Sequence, residues 1–402
     1  MRRQRVALAT AAIALVAGAG LAAALVATGR SERKAPVFSR TGKLTVTENE
    51  IGNGLALDGR SLVAKRGTAT QTLGSLGGGD EVIAPLTGAL TPVATAGPNG
   101  SFVVYSSWRQ LAHITPGARA QGLVTGQPVG IPSVRLFDPR TGKDALLANG
   151  AASPAVSTTG AIAYFAGESP PVRENVEYTG RVVVADSRDA VPQVWTSTPA
   201  RYFPYAWAGS TLLVYRGIQD SEGTDLYAYT GPNNGRLLAP DAFVIAISPD
   251  ASKVFAAVGT RTLEVIRVGD GAVEDTLSLD TPAPGSPPMP ASVMYGGSWS
   301  GDRIVANSDR GLVVLNVRGG LHIESLLATP AFVHGINEPV LVGDTHVQGW
   351  ANLADRKHTT SNADEPSYDN ALVDCDVAAG SCAVGSPNPA RQWTRWVTNP
   401  SR

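Results

Sequence analysis

The chain has 402 residues and a formal net charge of −1, with 43% hydrophobic and only 17% charged residues. That near-neutral balance supplies no electrostatic footprint for nucleic acid or for an anionic membrane surface, so a nucleic-acid partner is excluded. The content of 44 Gly and 28 Pro argues against a mainly helical protein and suits one with many turns.

The chain opens on a basic start, residues 1–5, followed by Val6–Gly29, which carries no charge. At about 1.5 Å per residue this segment reaches roughly 36 Å, enough to cross a bilayer with some tilt. It is longer than the apolar core of a cleaved secretory signal and reads as an uncleaved signal anchor, one N-terminal transmembrane helix. Its alanines also offer cleavage-like tripeptides, in which case the product is secreted. Arg2-Arg3-Gln4-Arg5-Val6 lacks the large apolar pair of a twin-arginine signal, and no Cys lies near position 29 to take a lipid. Arg2, Arg3 and Arg5 on one side, and Arg30, Arg33 and Lys34 on the other, leave orientation undecided by charge. Residues 30–50 read as a linker and first strand.

From residue 51 to 385 one hairpin signature returns seven times, a polar turn between two runs of small, β-branched or aromatic residues. Its copies are Leu55–Ala64, Gly97–Tyr105, Ala155–Phe165, Tyr205–Tyr215, Ala246–Val258, Ser298–Ala306 and Pro339–Trp350. Asp58, Asn99, Thr159, Gly209, Asp250, Gly301 and Gly343 mark the turns, about 47 residues apart on average. A second hairpin follows each first one: Thr70–Leu86, Arg135–Leu147, Val182–Trp195, Leu226–Leu238, Leu263–Leu277, Leu312–Leu326 and Ala371–Val384. Apolar runs of about 4–6 residues before Gly, Asn or Asp turns are how half-buried strands joined by hairpins read. Two hairpins make a four-stranded antiparallel blade. The expected fold is therefore all-β, a seven-bladed β-propeller over 51–385 with a C-terminal tail, 386–402. Six or eight blades are the competing counts. A sandwich or barrel also shows regular turns, but does not explain two alternating hairpin types, and no linker divides the chain into several sandwiches.

Two hairpins carry a family resemblance. Ser248-Pro249-Asp250, with Lys253 and an apolar strand behind it, resembles the repeat of TolB-like and WD40-like bacterial propellers. Phe137-Asp138-Pro139-Arg140-Thr141-Gly142-Lys143 is similar to the Asp-x-x-Thr-Gly-Lys hairpin of those families and of quinoprotein repeats. No copy carries the Gly-His and Trp-Asp marks of eukaryotic WD40 blades. Where quinoprotein repeats place a Trp, Ala145-Leu146-Leu147 stands instead, so no quinone or other cofactor is expected. The resemblance implies a shape and not an activity.

Three stretches outgrow the blade pattern. Trp108–Pro132 carries Trp108, Arg109, His113 and Arg119. Residues 168–180 carry Arg173, Glu174, Glu177 and Tyr178. Residues 351–370 carry Arg356, Lys357, His358, Asp364, Glu365 and Tyr368. All three fall between the second and third strands of their blades, and a fourth, Thr281–Gly296, joins one blade to the next. In a propeller both kinds of connection leave by the same face, where binding residues gather. Trp108, Arg109, His113, Arg173, Glu174, Tyr178, His358, Asp364, Glu365 and Tyr368 are the candidate binding residues. The alternative is a set of solvated surface excursions.

The two cysteines, Cys375 and Cys382, flank a turn expected at Val377–Gly380. A disulfide within one hairpin accounts for both and points to an oxidising compartment. Free or metal-binding thiols are the alternative, with His358 the nearest further ligand and no metal site expected. Anchor and disulfide together place the propeller outside the cytoplasmic membrane.

Motifs of catalysis are thin. The histidines, 113, 322, 334, 346 and 358, show no paired metal spacing, and no nucleophile elbow or phosphate loop has its strand-to-helix context. Asp364, Glu365 and Asp369 lack the regular spacing of a calcium loop. Two functions remain. One is a non-enzymatic module that binds an envelope protein or polymer through its long-loop face. The other is an extracytoplasmic hydrolase or lyase acting on glycans, whose paired carboxylates assemble at the channel mouth from distant blades.

Overall fold

The computed structural model describes residues 54–58, 61–66, 69–76, 81–83, 94–109, 132–167, 179–217, 223–280, 290, 292–329, 333–354, 368–384 and 395–396. Chain contacts separate Met1–Arg40 from Thr41–Arg402, and every described residue belongs to the second unit. The anchor segment 6–29 lies outside the described residues, among which no helix is long and apolar enough to cross a membrane. Apart from one short 3-10 turn, Pro98–Gly100, every element among them is a strand.

The strands form consecutive antiparallel meanders. The first sheet holds β1 (Gly54–Asp58), β2 (Ser61–Arg66) and β3 (Ala69–Ser75). The second holds β4 (Glu81–Ile83), β5 (Ala94–Ala96), β6 (Val103–Arg109), β7 (Pro132–Asp138) and β8 (Lys143–Asn149), with β4 and β5 both paired to β6. The third is β9 (Ala151–Val156), β10 (Ile162–Gly167), β11 (Gly180–Ala185) and β12 (Gln193–Val194). The fourth is β13 (Tyr202–Ala208), β14 (Thr211–Gly217), β15 (Thr224–Tyr229) and β16 (Gly235–Ala239). The fifth is β17 (Ala242–Ile247), β18 (Lys253–Val258), β19 (Thr262–Arg267) and β20 (Val273–Ser278).

Two further meanders follow. One is β21 (Val293–Ser300), β22 (Arg303–Ser308), β23 (Gly311–Asn316) and β24 (His322–Ala328). The other is β25 (Val333–Val342), β26 (His346–Ala354), β27 (Tyr368–Asp376) and β28 (Ser381–Val384). A single parallel bridge between β24 and β28, Ala328 to Ser381, joins them into one eight-stranded sheet. The last strand, β29 (Arg395–Trp396), pairs with β1 through Ala56↔Trp396 and Leu57↔Arg395. The chain thus returns to its first sheet, and the segment 386–402 supplies a strand.

Packing explains the residue pattern. Successive meanders stack face to face, each gap filled by its own apolar cluster. Phe137, Tyr105 and Leu62 lie between the first and second sheets. Ile162, Val104 and Val134 follow between the second and third, and Phe165, Leu212 and Val214 between the third and fourth. Tyr215, Val254 and Ile266 join the fourth to the fifth, Phe255, Ile304 and Val313 the fifth to the next, and Val314, Val347 and Val373 the last two. Middle strands are covered on both faces and read as unbroken apolar runs, as in β14 and β23. Outer strands are wet, and β8, β12, β16 and β20 are correspondingly polar or alternating.

The first strands carry a shared irregularity. The register of β9, β13, β17, β21 and β25 against its neighbour slips near the middle. A bulge frees backbone groups that burial would otherwise leave unpaired, and side chains of the adjoining sheet take many of them. The Ser153 amide donates to Ser106 Oγ (3.0 Å) and Thr95 Oγ1 donates to the Pro154 carbonyl (3.0 Å). The Val244 amide donates to the Tyr215 hydroxyl (2.9 Å), and Asn307 Nδ2 donates to the Ile336 carbonyl (2.8 Å) while its Oδ1 accepts from the Ile336 amide. Burial holds the Tyr215 phenol well above its ordinary pKa, so it stays a neutral O–H. Tyr215→Phe is expected to cost about 1–2 kcal/mol by stranding the Val244 amide, read as a shifted urea midpoint at constant slope.

One hairpin reading is corrected. Thr70–Leu86 looks like a blade hairpin, but its strands, β3 and β4, belong to different sheets. The register of β4 runs along β6, from Glu81↔Arg109 to Ile83↔Ser107. Two apolar runs around a glycine turn read alike whether they pair with each other or with separate neighbours.

The Ser248-Pro249-Asp250 turn owes its shape to its side chains. Asp250 Oδ1 accepts from Ser248 Oγ (2.7 Å) and the Ser252 amide (3.1 Å), and Asp250 Oδ2 from Ser252 Oγ (2.8 Å). These bonds, led by the one from Ser248, hold the Asp250 carboxyl down at about 2. A carboxylate whose pKa is lowered on folding stabilises above its unfolded value, near 3.9, and loses that contribution as pH falls to about 2. Because the group is exposed, the effect is well short of the full shift. Asp250→Asn is expected to lower the melting temperature at pH 7 and to flatten its fall between about pH 4 and pH 2.

Candidate functional face

One edge of the sheets collects the connections between second and third strands of the second to seventh meanders. The closing cross-strand pairs there are Trp108↔Pro132, Gly167↔Gly180, Gly217↔Thr224, Val258↔Thr262, Ser308↔Gly311 and Ala354↔Tyr368. Connections between successive meanders leave by the same edge, because backbone bonds tie the two kinds together. Gly180 and Ala200 exchange amide bonds at 3.0 and 2.9 Å, Gly217 donates to the Arg201 carbonyl (2.8 Å), and Gly259 donates to that of Asp241 (2.7 Å). At Gly180 the backbones approach so closely that a β-carbon would sit 2.1 Å from the Ala166 carbonyl oxygen. Residues 110–131, 168–178, 281–289 and 355–367 are all rooted here.

Of the ten candidate binding residues, Trp108 and Arg109 end β6 and Tyr368 begins β27, so their backbones stand on this edge. His113, Arg173, Glu174, Tyr178, His358, Asp364 and Glu365 lie outside the described residues. His322 and His346 are not on this edge. His322 Nδ1 meets the Gly320 carbonyl (2.7 Å), and His346 Nδ1 meets Asp374 Oδ1 (3.1 Å). Among the described residues no group of three or more His, Cys, Asp or Glu side chains is placed to hold a metal ion.

An aromatic cluster not picked out from the sequence stands where the third and fourth sheets meet. Tyr202, Trp195 and Tyr229 are buried there with Phe165, and Tyr227 and Trp207 pack half-buried against them. Trp195 and Trp207 meet edge to face at 5.8 Å, and the rings of Tyr227 and Tyr229 are 6.3 Å apart. Burial, followed by the neighbouring Tyr202, raises the Tyr229 phenol far above its ordinary range. Next to last in β14, Arg216 lies 6.0 Å from the centroid of the Tyr227 ring and donates from Nη1 to the Tyr227 hydroxyl (3.4 Å), whereas Trp207, opposite Leu212, stands toward the other edge. The run Arg201-Tyr202-Phe203-Pro204-Tyr205-Ala206-Trp207 was the signal available in the sequence; the pairing of β14 with β15 that brings in Tyr227 was not.

The disulfide is present. Cys375 and Cys382 are directly opposed in β27 and β28, with Cα atoms 3.9 Å apart and the turn at 377–380.

Consecutive meanders stacked face to face, with the last strand returned to the first sheet, define a β-propeller. No protein-family model and no curated protein matches the chain. TolB and other β-propeller domains are among the solved structures to which it is similar. A protein assigned as TolB from Agrobacterium tumefaciens aligns at 14% identity over 68% of this chain and 94% of its own, with a TM-score of 0.37. The β-propeller domain of the Trilobed protease from Pyrococcus furiosus aligns at 8% identity over 79% and 89%, with a TM-score of 0.42. An oligogalacturonate lyase solved with manganese aligns at 13% identity over 67% and 72%, also with a TM-score of 0.42.

Proposed function

We propose that this protein is a seven-bladed propeller held at the outer face of the cytoplasmic membrane by residues 6–29, acting as a non-enzymatic module that binds an envelope protein or polymer. Counting the two meanders of the eight-stranded sheet separately, with β29 as the innermost strand of the first blade, supports the reading of seven blades. The observation that carries the binding role is the gathering of the long connections on one edge, with Trp108, Arg109 and Tyr368 at their roots. A rigid stack presenting long loops from one face is the usual architecture of a binding surface. The disulfide, with Cys375 buried and Cys382 half-buried, suits an oxidising compartment.

Site-specific photo-crosslinking in intact cells tests this reading. A photoreactive residue at Trp108 or Tyr368 is expected to give discrete adducts, whereas one at Gly271 or Asp344, in turns of the opposite edge, gives none. Equal labelling from both edges contradicts it. Cleavage of an envelope glycan by the purified chain, abolished by Asp364→Asn or Glu365→Gln, establishes the hydrolase or lyase instead. External protease reaching the propeller in spheroplasts supports the location; protection contradicts it.

A further inference from the structure

The Cys375–Cys382 bridge sits where the outer strands of the sixth and seventh meanders meet. The turn of its hairpin accepts the Ala328 amide at the Gly380 carbonyl (3.2 Å) and the Ser325 hydroxyl at the Val377 carbonyl (3.3 Å). The parallel bridge of Ala328 with Ser381 lies beside them. Among the described residues no other two outer strands are joined in this way.

The two sulfurs differ in access. Cys375 is fully buried, in a strand paired with β26 at nine consecutive positions, and shares an apolar cluster with Val314 and Val347. Cys382 is half-buried in β28, the last strand of its meander, next to the exposed Ser381. The register of β28 is also distinct. β3, β8, β16, β20 and β24 each slip by one residue against the strand before them, the usual way of bending an outer edge. β28 runs without a slip from Val373↔Val384 to Asp376↔Ser381. Backbone pairing alone therefore keeps Cys375 and Cys382 directly opposed, so the bond can break and form again between strands that stay in place.

We infer that this disulfide is a reversible, thiol-operated catch on the joint between the sixth and seventh meanders, opened by a dithiol. A thiolate of the dithiol attacks Cys382 Sγ, the more accessible sulfur. The Sγ–Sγ bond breaks, and Cys375 Sγ leaves with its electron pair and takes up a proton. The second thiol of the reductant then displaces Cys382. One protein disulfide and one dithiol thus become two cysteine thiols and one reductant disulfide. With the bond gone, β28 is a four-residue edge strand, and the turn that clasps β24 loses its covalent brace. In an oxidising compartment the closed form is the resting one. The inference does not depend on which edge binds a partner.

The test uses the full chain in detergent and dithiothreitol as the dithiol, with alkylation and mass mapping of the cysteines and hydrogen exchange of the backbone. Thiols are expected to appear about ten-fold or more faster than the core strands β14 and β18 exchange their amides. In the reduced protein, exchange quickens at Ala328 and along β28 beyond any change in β14 and β18, and oxidised glutathione restores the parent pattern. The thiol left in Cys375→Ser is expected to react with an aromatic disulfide about ten-fold or more faster than the thiol left in Cys382→Ser. Should those variants fail to fold, the reduction rate of the parent decides the matter. Thiols appearing only as fast as β14 and β18 exchange, Cys375 reacting as fast as Cys382, unchanged exchange at Ala328 after reduction, or failure of the bond to re-form overturns the inference.

Discussion

Replacing Phe255 with alanine is expected to cost about 3–5 kcal/mol, on the order of 10 °C in melting temperature. Phe255 lies in β18, fully buried in the cluster between the fifth sheet and the meander that follows, against Ile304, Val313 and Leu315. The cost combines lost transfer energy with a cavity bounded by two separate sheets, which cannot close without moving one against the other. Val191, exposed to 84% of its surface, supplies the control: Val191→Ala is expected to shift stability by less than about 0.5 kcal/mol. Chemical denaturation of both variants checks the pair. A Phe255 variant as stable as the parent would mean that the sheets do not pack through this cluster.

The second large effect belongs to the disulfide. Closing so short a loop is worth about 2.5 kcal/mol in the chain-entropy account. The bridged hairpin also holds the neighbouring meander. The Ala328 amide donates to the Gly380 carbonyl (3.2 Å), and Ser325 Oγ donates to the Val377 carbonyl (3.3 Å). The double variant Cys375→Ala, Cys382→Ala is therefore expected to lose about 2–3 kcal/mol. Its hydrogen exchange should quicken most at Ala328 and along β28, by more than the common loss that reduced global stability brings to β14 and β18. Uniform loss of protection across all sheets would assign the bridge a global role instead.

What could be read from the sequence was what is encoded locally. The Cys375–Cys382 hairpin is visible because both partners, their turn and their register fit within ten residues. The turns at Gly209, Asp250, Gly301 and Gly343 are visible because their chemistry is their own. Long-range pairing leaves weaker traces. β29 is two residues long, and nothing in Arg395-Trp396 announces a partner at Ala56 and Leu57. The same blindness let Thr70–Leu86 pass for a hairpin within one sheet. The placement of three long stretches between second and third strands was legible, because it follows from counting hairpins. The contact of Arg216 with Tyr227 was not, since it depends on the register that pairs β14 with β15.

The central claim is that the chain closes on itself, and a single engineered crosslink tests it most directly. Ala56 and Trp396 are direct cross-strand partners, a relation that cysteine pairs can bridge. In the Ala56→Cys, Trp396→Cys variant, mild oxidation is expected to form one intramolecular disulfide between those positions, found by peptide mapping of monomeric protein, beside the native Cys375–Cys382 bridge. Free thiols at both positions after oxidation, or bridges only between separate molecules, would contradict closure and leave the sheets as an open stack.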